Sequence, residues 1–276
     1  CTSSPSSGLE NGGVFTVGVT TISCSVANSC GVVGACVFDV EVTPFNELIV
    51  DVQLSPVMVD GPLTRCITFD LFQQCGGVTG SVSQEITFGA PLDLPGKATG
   101  ISVLIPAGAW ECITARDRLH TLRSTAEDFV INGTVFEATF VSNPALGGQL
   151  TGGNLNDDGV IDIVDFGTWH GQLGLSFPDT DCSVPSPHAD INGDGIVDAV
   201  DFTFILANFF AESQPNCCDV PSPLIDGGRA RGRRSVSIRE LTAEGLGHLR
   251  ASDLNNDGRL DMADVELAME QMNVDR

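Results

Sequence analysis

The stretch "DINGDGIVDAVD" (Asp190–Asp201) sets acidic or amide side chains at positions 1, 3, 5, 9 and 12 of a twelve-residue loop, with glycine at position 6. Near-copies lie on either side of it, "NLNDDGVIDIVD" (Asn154–Asp165) and "DLNNDGRLDMAD" (Asp253–Asp264). The first two start 36 residues apart and the third starts 63 residues after the second, so repetition with a longer insert organises this part of the chain. The spacing has a chemical reading. A hard cation such as calcium takes about six to eight oxygens at roughly 2.3–2.6 Å, and a twelve-residue loop wraps it by offering side-chain oxygens at alternate positions. Glycine at 6 permits the sharp turn, the carbonyl at 7 adds an oxygen, and a carboxylate at 12 closes the shell from the first turn of the following helix.

On this reading loop one binds through Asn154, Asn156, Asp158, the carbonyl of Val160, Asp162 and Asp165. Loop two uses Asp190, Asn192, Asp194, the carbonyl of Ile196, Asp198 and Asp201. Loop three uses Asp253, Asn255, Asp257, the carbonyl of Arg259, Asp261 and Asp264. Three calcium sites are expected, with position 9 acting through a water. Magnesium fits less well because it keeps its waters and prefers a smaller octahedral shell. One such loop is also a plausible metal-free acidic turn, but three in one register argue for metal. Gathering three or four carboxylates without a cation is costly, so the metal-free C-terminal region is expected to be loosened. Loop one, with Asn at position 1, is expected to bind most weakly. Position 8 is Ile161, Val197 or Leu260, apolar residues expected to point into the core.

Each loop is followed by a helical apolar stripe at i, i+3 and i+7: Phe166, Trp169, Leu173; Phe202, Ile205, Phe209; Val265, Ala268, Met272. "SIRE" (Ser237–Glu240) is a capping box that starts a short helix ending near Gly245. "GGRARGRR" (Gly227–Arg234) reads as a solvated linker, with contact to an acidic neighbour or a protease site as the other readings.

Residues 14–150 look different. Short runs with period-2 alternation, among them "CVFDVEV", "ELIVDVQL", "CITFDLF", "SVSQEITF", "GISVLI" and "TVFEATFV", are punctuated by Gly, Pro, Asn and Asp. The pattern predicts a β-sandwich of jelly-roll or immunoglobulin type, with about eight to ten strands. Only "ARDRLHTLRST" carries a helical signal. The expected organisation is a flexible leader (1–13), the sandwich (14–150), a pair of loop–helix repeats (151–220), a linker (221–236) and a third repeat (237–276).

The formal net charge of −23, from 36 acidic and 13 basic residues, argues against nucleic acid and favours cations or cationic surfaces as partners. No apolar run approaches the roughly 18–20 residues that span a bilayer. Ten cysteines at irregular spacings, none in a C-x-x-C pair, predict disulfides in an oxidising compartment. Cys66 and Cys112 precede Ile-Thr in two strand-like runs and are the expected partners, and Cys182 is expected to join Cys217 or Cys218. Cys1 suits either a disulfide or lipid attachment.

The pattern D-x-N-x-D-G-x-(I/V/L)-D-x-x-D followed by one helix resembles dockerin type I repeats, which pair two loop–helix units and use aspartate at position 12 where ordinary EF-hands use glutamate. Loops one and two resemble the pair, and loop three an additional EF-hand-like unit. The resemblance covers about residues 151–276 and implies an α-helical, EF-hand-like, dockerin-type calcium-binding region after the sandwich. The whole layout is similar to secreted bacterial dockerin-repeat proteins of planctomycete type, which carry a stretch like "CITARDRLHTLR" (Cys112–Arg123) ahead of the repeats. Cellulosomal dockerins place Ser/Thr-type residues at loop positions 10 and 11, where cohesin is contacted. Here those positions are Ile163/Val164, Ala199/Val200 and Met262/Ala263, which argues against that contact.

No H-E-x-x-H, G-x-S-x-G, P-loop or Rossmann pattern is present, and nothing selects two facing carboxylates among Glu47, Asp51, Asp70, Glu85, Glu111 and Asp117. With no Tyr and only Trp110 and Trp169, an aromatic sugar platform is poorly supplied. The expectation is a non-enzymatic, secreted, extracellular or cell-surface calcium-binding protein that associates with its own kind, as a fibre or surface layer. "GVFTVGVTTISCSV" (Gly13–Val26) is expected to be an ordinary first strand of the chain's own sandwich or, less favoured, one donated to a neighbour. The alternative is an adaptor that attaches a carbohydrate-binding sandwich to a cohesin-like scaffold.

Overall fold

The computed structural model describes residues 2–4, 15, 17–27, 33–42, 44–55, 62–73, 78–89, 96–126, 129–141, 148–177, 182–183, 187–214 and 232–274. Two compact units form, Cys1–Glu47 with Leu104–Gly108, and Leu48–Val103 with Ala109–Arg276. Cys1, Cys217, Cys218 and most of the expected leader and linker lie outside the described residues.

In the first unit, β1 (Thr2–Ser4), β2 (Gly18–Ala27) and β3 (Val33–Val42) make an antiparallel sheet in that order. Thr20 and Ile22 are buried on one face of β2. Along β3, residues 34–39 are exposed on both faces, Val37 at 65% and Phe38 at 48%. Among the described residues, the strand-like run from Gly13 pairs, from Gly18 onward, with β1 and β3 in a sheet of the first unit, and not as a first strand of the two sheets that follow.

The strands that follow are β4 (Phe45–Ser55), β5 (Leu63–Phe72), β6 (Val78–Phe88), β7 (Lys97–Pro106), β8 (Cys112–Asp117), β9 (Ser124–Thr125), β10 (Phe129–Asn132), β11 (Val135–Phe140) and β12 (Leu150–Thr151). One sheet runs β6-β5-β8-β9, and the other β10-β11-β4-β12 with β7 also pairing β4. The chain is mainly β, as the alternation predicts. That alternation is visible in β4, where Leu48, Val50, Val52 and Leu54 are buried and their neighbours are not. Phe69 of β5 and Phe140 of β11 bring the two sheets together, with ring centroids 6.0 Å apart. "ARDRLHTLRST" does not turn helical. It continues β8 to Asp117 and then turns, because Asp117 Oδ1 accepts the Leu119 N–H (2.9 Å) while Thr121 Oγ1 accepts the Asp117 N–H (2.8 Å). Such local side-chain bonds satisfy the backbone in a turn and compete with a helix.

Cys66 is bonded to Cys182, and neither to its expected partner. In the antiparallel β5–β8 pair, Cys112 faces Phe72, whereas Cys66 lies beyond the Ile67–Asp117 pair at the other end. About 20 Å of strand separates the two positions, far more than a disulfide spans. Cys24 and Cys112 each take part in a disulfide of their own, and Cys36 is a free, exposed thiol.

Beyond the sheets come α1 (Ile163–Gln172), α2 (Ala199–Ala207), β13 (Ser235–Ser237), α3 (Ile238–Ala243), a 3-10 helix (Gly247–Ser252), β14 (Arg259–Asp261) and α4 (Met262–Val274). No described helix is long and apolar enough to cross a membrane. One core joins them. Trp169 stacks on Phe202 at 4.6 Å, Phe166 meets both, and Leu241, Leu249, Leu260, Val265 and Ala268 extend the cluster. Leu173 departs from the predicted stripe, since α1 ends at Gln172 and leaves it 44% exposed. The "SIRE" box forms as expected, with Ser237 capping α3 and Glu240 answering it.

Candidate metal centre

All three acidic loops adopt one backbone. Position 6 has a left-handed φ in each (Gly159 86°, Gly195 92°, Gly258 85°), and so does position 4 (Asp157 58°, Gly193 80°, Asn256 59°). Glycine at 6 was legible in the sequence. At position 4 the sequence varies among Asp, Gly and Asn, the residues that tolerate this region best.

Position 3 folds back on position 5. Asn156 Oδ1 accepts the Asp158 N–H (3.1 Å), Asn192 Oδ1 that of Asp194 (2.8 Å) and Asn255 Oδ1 that of Asp257 (2.9 Å). Position 5 then accepts the position-7 N–H, Val160 to Asp158 at 3.0 Å, Ile196 to Asp194 at 3.0 Å and Arg259 to Asp257 at 2.9 Å. In position 1, Asp190 accepts from Gly193 and Gly195, and Asp253 from Asp257 and Gly258. Asn154 differs. It is 3% exposed, and its buried Oδ1 has no hydrogen-bond partner.

Position 9 caps the following helix. Asp162 and Asp198 accept the N–H groups of Val164 and Val200, and Asp261 that of Ala263. Position 12 reaches back into the loop. Asp165 accepts from Leu155 and Asp162, Asp201 from Ile191, Asn192 and Asp198, and Asp264 from Leu254, Asn255 and Asp261. All three are 0% exposed. Burial pushes the Asp165 carboxyl well above the usual carboxylate range and Asp201 up to about 6, against the downward pull of those N–H donors. Asp162 and Asp190 are raised too, again chiefly by burial. Ile161, Val197 and Leu260 at position 8 are fully buried, as the repeat pattern predicts.

The predicted donors of each loop therefore come onto one short turn, with oxygens only: carboxylates, amides and the carbonyls of Val160, Ile196 and Arg259. Among the described residues, no three His, Cys, Asp or Glu side chains are gathered as a metal cluster. Position 3 is an amide in every loop and position 1 in loop one, and the position-12 carboxylates are turned to backbone N–H groups.

Loops one and two are knitted reciprocally. Ile161 of loop one bonds to Phe210 and Ala211 after α2, and Val197 of loop two bonds to Gly174 and Leu175 after α1. Loop three pairs instead with the strand just before α3, β14 against β13. The β8–β9 stretch seats the first two loops on the sheet. The His120 carbonyl accepts the N–H of Gly153 and Asn154, Arg116 pairs with Asp157 at 2.7 Å, and Gln214 Oε1 accepts the Thr125 N–H. Beneath loop two, Arg65 is buried with Nε 3.5 Å from Asp117 and Nη2 3.4 Å from the Asp190 carbonyl. Burial raises Asp117 to about 6 despite Arg65, and it lowers His188 to about 4 and His120 well below its ordinary value. The sequence pattern carries no signal for Arg65 or Arg116 at the loops, because these contacts are set by the fold. No known family model matches the chain, and no characterised protein matches its sequence.

Proposed function

We propose that the chain is a non-catalytic, calcium-binding structural protein of the extracellular space, built from a β-sandwich and three EF-hand-like loops of dockerin type. The observation that carries this reading is the burial of Asp165, Asp201 and Asp264 at position 12 of three superimposable acidic loops. A buried carboxylate with acidic neighbours is costly; the backbone N–H donors offset part of that cost, and a bound cation would offset the rest. The donor set fits calcium: all oxygens, from positions 1, 3, 5, 7, 9 and 12. The orphaned, buried Oδ1 of Asn154 supports the fit at position 1 of loop one. The Cys66–Cys182 bond supports an oxidising compartment.

Self-association is the favoured mode of action. Among the described residues of the first unit, β3 lies at the edge of its sheet with Val37 and Phe38 exposed on opposite faces, the kind of edge that accepts a further strand. The adaptor reading is weaker. Ile163 and Val164, at the two positions a cohesin contacts in cellulosomal dockerins, are fully buried in loop one, and only Met262 and Ala263 of loop three are exposed. Size-exclusion chromatography and electron microscopy in calcium and in EDTA test the proposal. Calcium-dependent oligomers or fibres are expected. A calcium-loaded monomer that binds polysaccharide or a cohesin-like partner would instead favour the adaptor.

A further inference from the structure

The basic stretch before the third repeat does not end in solvent. Gly232, Arg233 and Arg234 lie across loop one. The Arg233 N–H donates to Asp162 Oδ2 at 2.6 Å, and its carbonyl accepts the Ile163 N–H at 3.2 Å. Its guanidinium places Nε 3.6 Å from Asp162 Oδ2, Nη2 3.9 Å from Asp158 Oδ2 and Nη1 2.8 Å from Glu244 Oε2. Arg234 stands 5.1 Å above the Phe210 ring. A Cβ at Gly232 would come within 2.5 Å of that ring and 3.1 Å of Val160, so only glycine lets the backbone approach this closely.

Asp158 and Asp162 are positions 5 and 9 of loop one. Among the described residues, no guanidinium pairs with the equivalent Asp194 and Asp198 of loop two or Asp257 and Asp261 of loop three; the buried Arg65 beneath loop two lies at position 1, where its Nη2 reaches the Asp190 carbonyl, and its Nε faces Asp117. Loop one also has the neutral Asn154 where the others have Asp190 and Asp253. A fixed positive charge beside two of its ligands lowers the attraction of a divalent cation and holds the loop's carboxylates together in its absence.

We propose that Arg233 is the resident cation of loop one: it keeps that loop folded without calcium and makes its calcium site weak, while loops two and three depend on the metal. The inference rests on the calcium reading above. Calorimetric titration with calcium chloride, on the full chain stripped of metal, tests it. Two tight sites are expected in the wild type. Arg233→Gln should tighten the third by about tenfold, from loss of one unit charge at short range. The gain should disappear in Arg233→Gln/Asp158→Asn. Arg233→Lys, which keeps the charge, should titrate like the wild type. Thermal unfolding separates this role from a merely structural one: Arg233→Gln should lower the midpoint in EDTA but not in saturating calcium. An unchanged third site, or equal loss of stability in both buffers, overturns the assignment and leaves the calcium reading intact. Absence of calcium binding in every form overturns both.

Discussion

Loops one and two on the one hand, and loop three on the other, fold almost the same dodecapeptide in two ways. Loop one closes on the segment after α2 and loop two on the segment after α1, so neither is complete without the other. Loop three is completed from its own neighbourhood, β14 pairing with β13 and α3 following at once. The same spacing of acidic and amide residues is thus compatible with mutual closure and with self-closure. What differs is where the residues of position 7 and 8 find a backbone partner. A buried edge has to find one, and the sequence of the loop does not say from where.

The comparison can be broken or sharpened by experiment. Calcium removal should have the largest effect. Two tight sites at a thousandfold saturation contribute about 8 kcal/mol, so EDTA should lower the midpoint of a urea melt followed by Trp fluorescence by several molar, and an unshifted curve would sink the metal reading. Next comes the core. Trp169→Ala removes the ring that stacks on Phe202 between the two knitted repeats and donates Nε1–H to the Asp198 carbonyl. It should cost about 3–5 kcal/mol and weaken calcium binding at loops one and two together. Leu260→Ala in loop three should cost about 2–5 kcal/mol, with calcium loss confined to loop three if closure there is independent.

Smaller effects probe the seams. Gly167 of α1 faces Leu260, whose Cδ2 would lie 2.8 Å from an added Cβ, with Leu249 at 3.4 Å. Gly167→Ala should cost about 1–3 kcal/mol by overpacking, read as a lower melting midpoint with loops one and two still binding calcium. Arg116→Ala removes a partly exposed ion pair to Asp157 and should cost about 0–1 kcal/mol, the smallest change. A larger loss would mean that the sheet holds loop one more firmly than its backbone bonds imply.

Much of the candidate site was legible because its rules are local. Acidic and amide side chains at alternate positions, glycine at 6, an apolar residue at 8 and the Ser237–Glu240 capping box all act within a dozen residues. The strands of the two sheets were legible for the same reason, through the period-2 pattern. What escaped depends on distant chain segments. Cys66 finds Cys182, which is 116 residues away, because of sheet register and not because of the Ile-Thr that follows Cys66 and Cys112 alike. Arg233 sits in a run that reads as linker, and only the fold puts it beside Asp158 and Asp162. "ARDRLHTLRST" has the apolar spacing of a helix, yet Asp117 and Thr121 bind the backbone of a turn. Its carbonyls and N–H groups then go to Thr151, Gly153 and Asn154.

The Cys66–Cys182 bond also has a mechanical consequence. Tension applied along the chain from beyond either cysteine would pass directly between the two sulfurs. The 116-residue span between them, about 400 Å when drawn out, would stay slack. That span holds most of both sheets, loop one and α1. Loops two and three lie past the bridge and β1–β4 lie before it, so both flanks carry the tension. Under oxidising conditions a stretched molecule would therefore lengthen first in those flanks, and the span between the two cysteines would add nothing to its length.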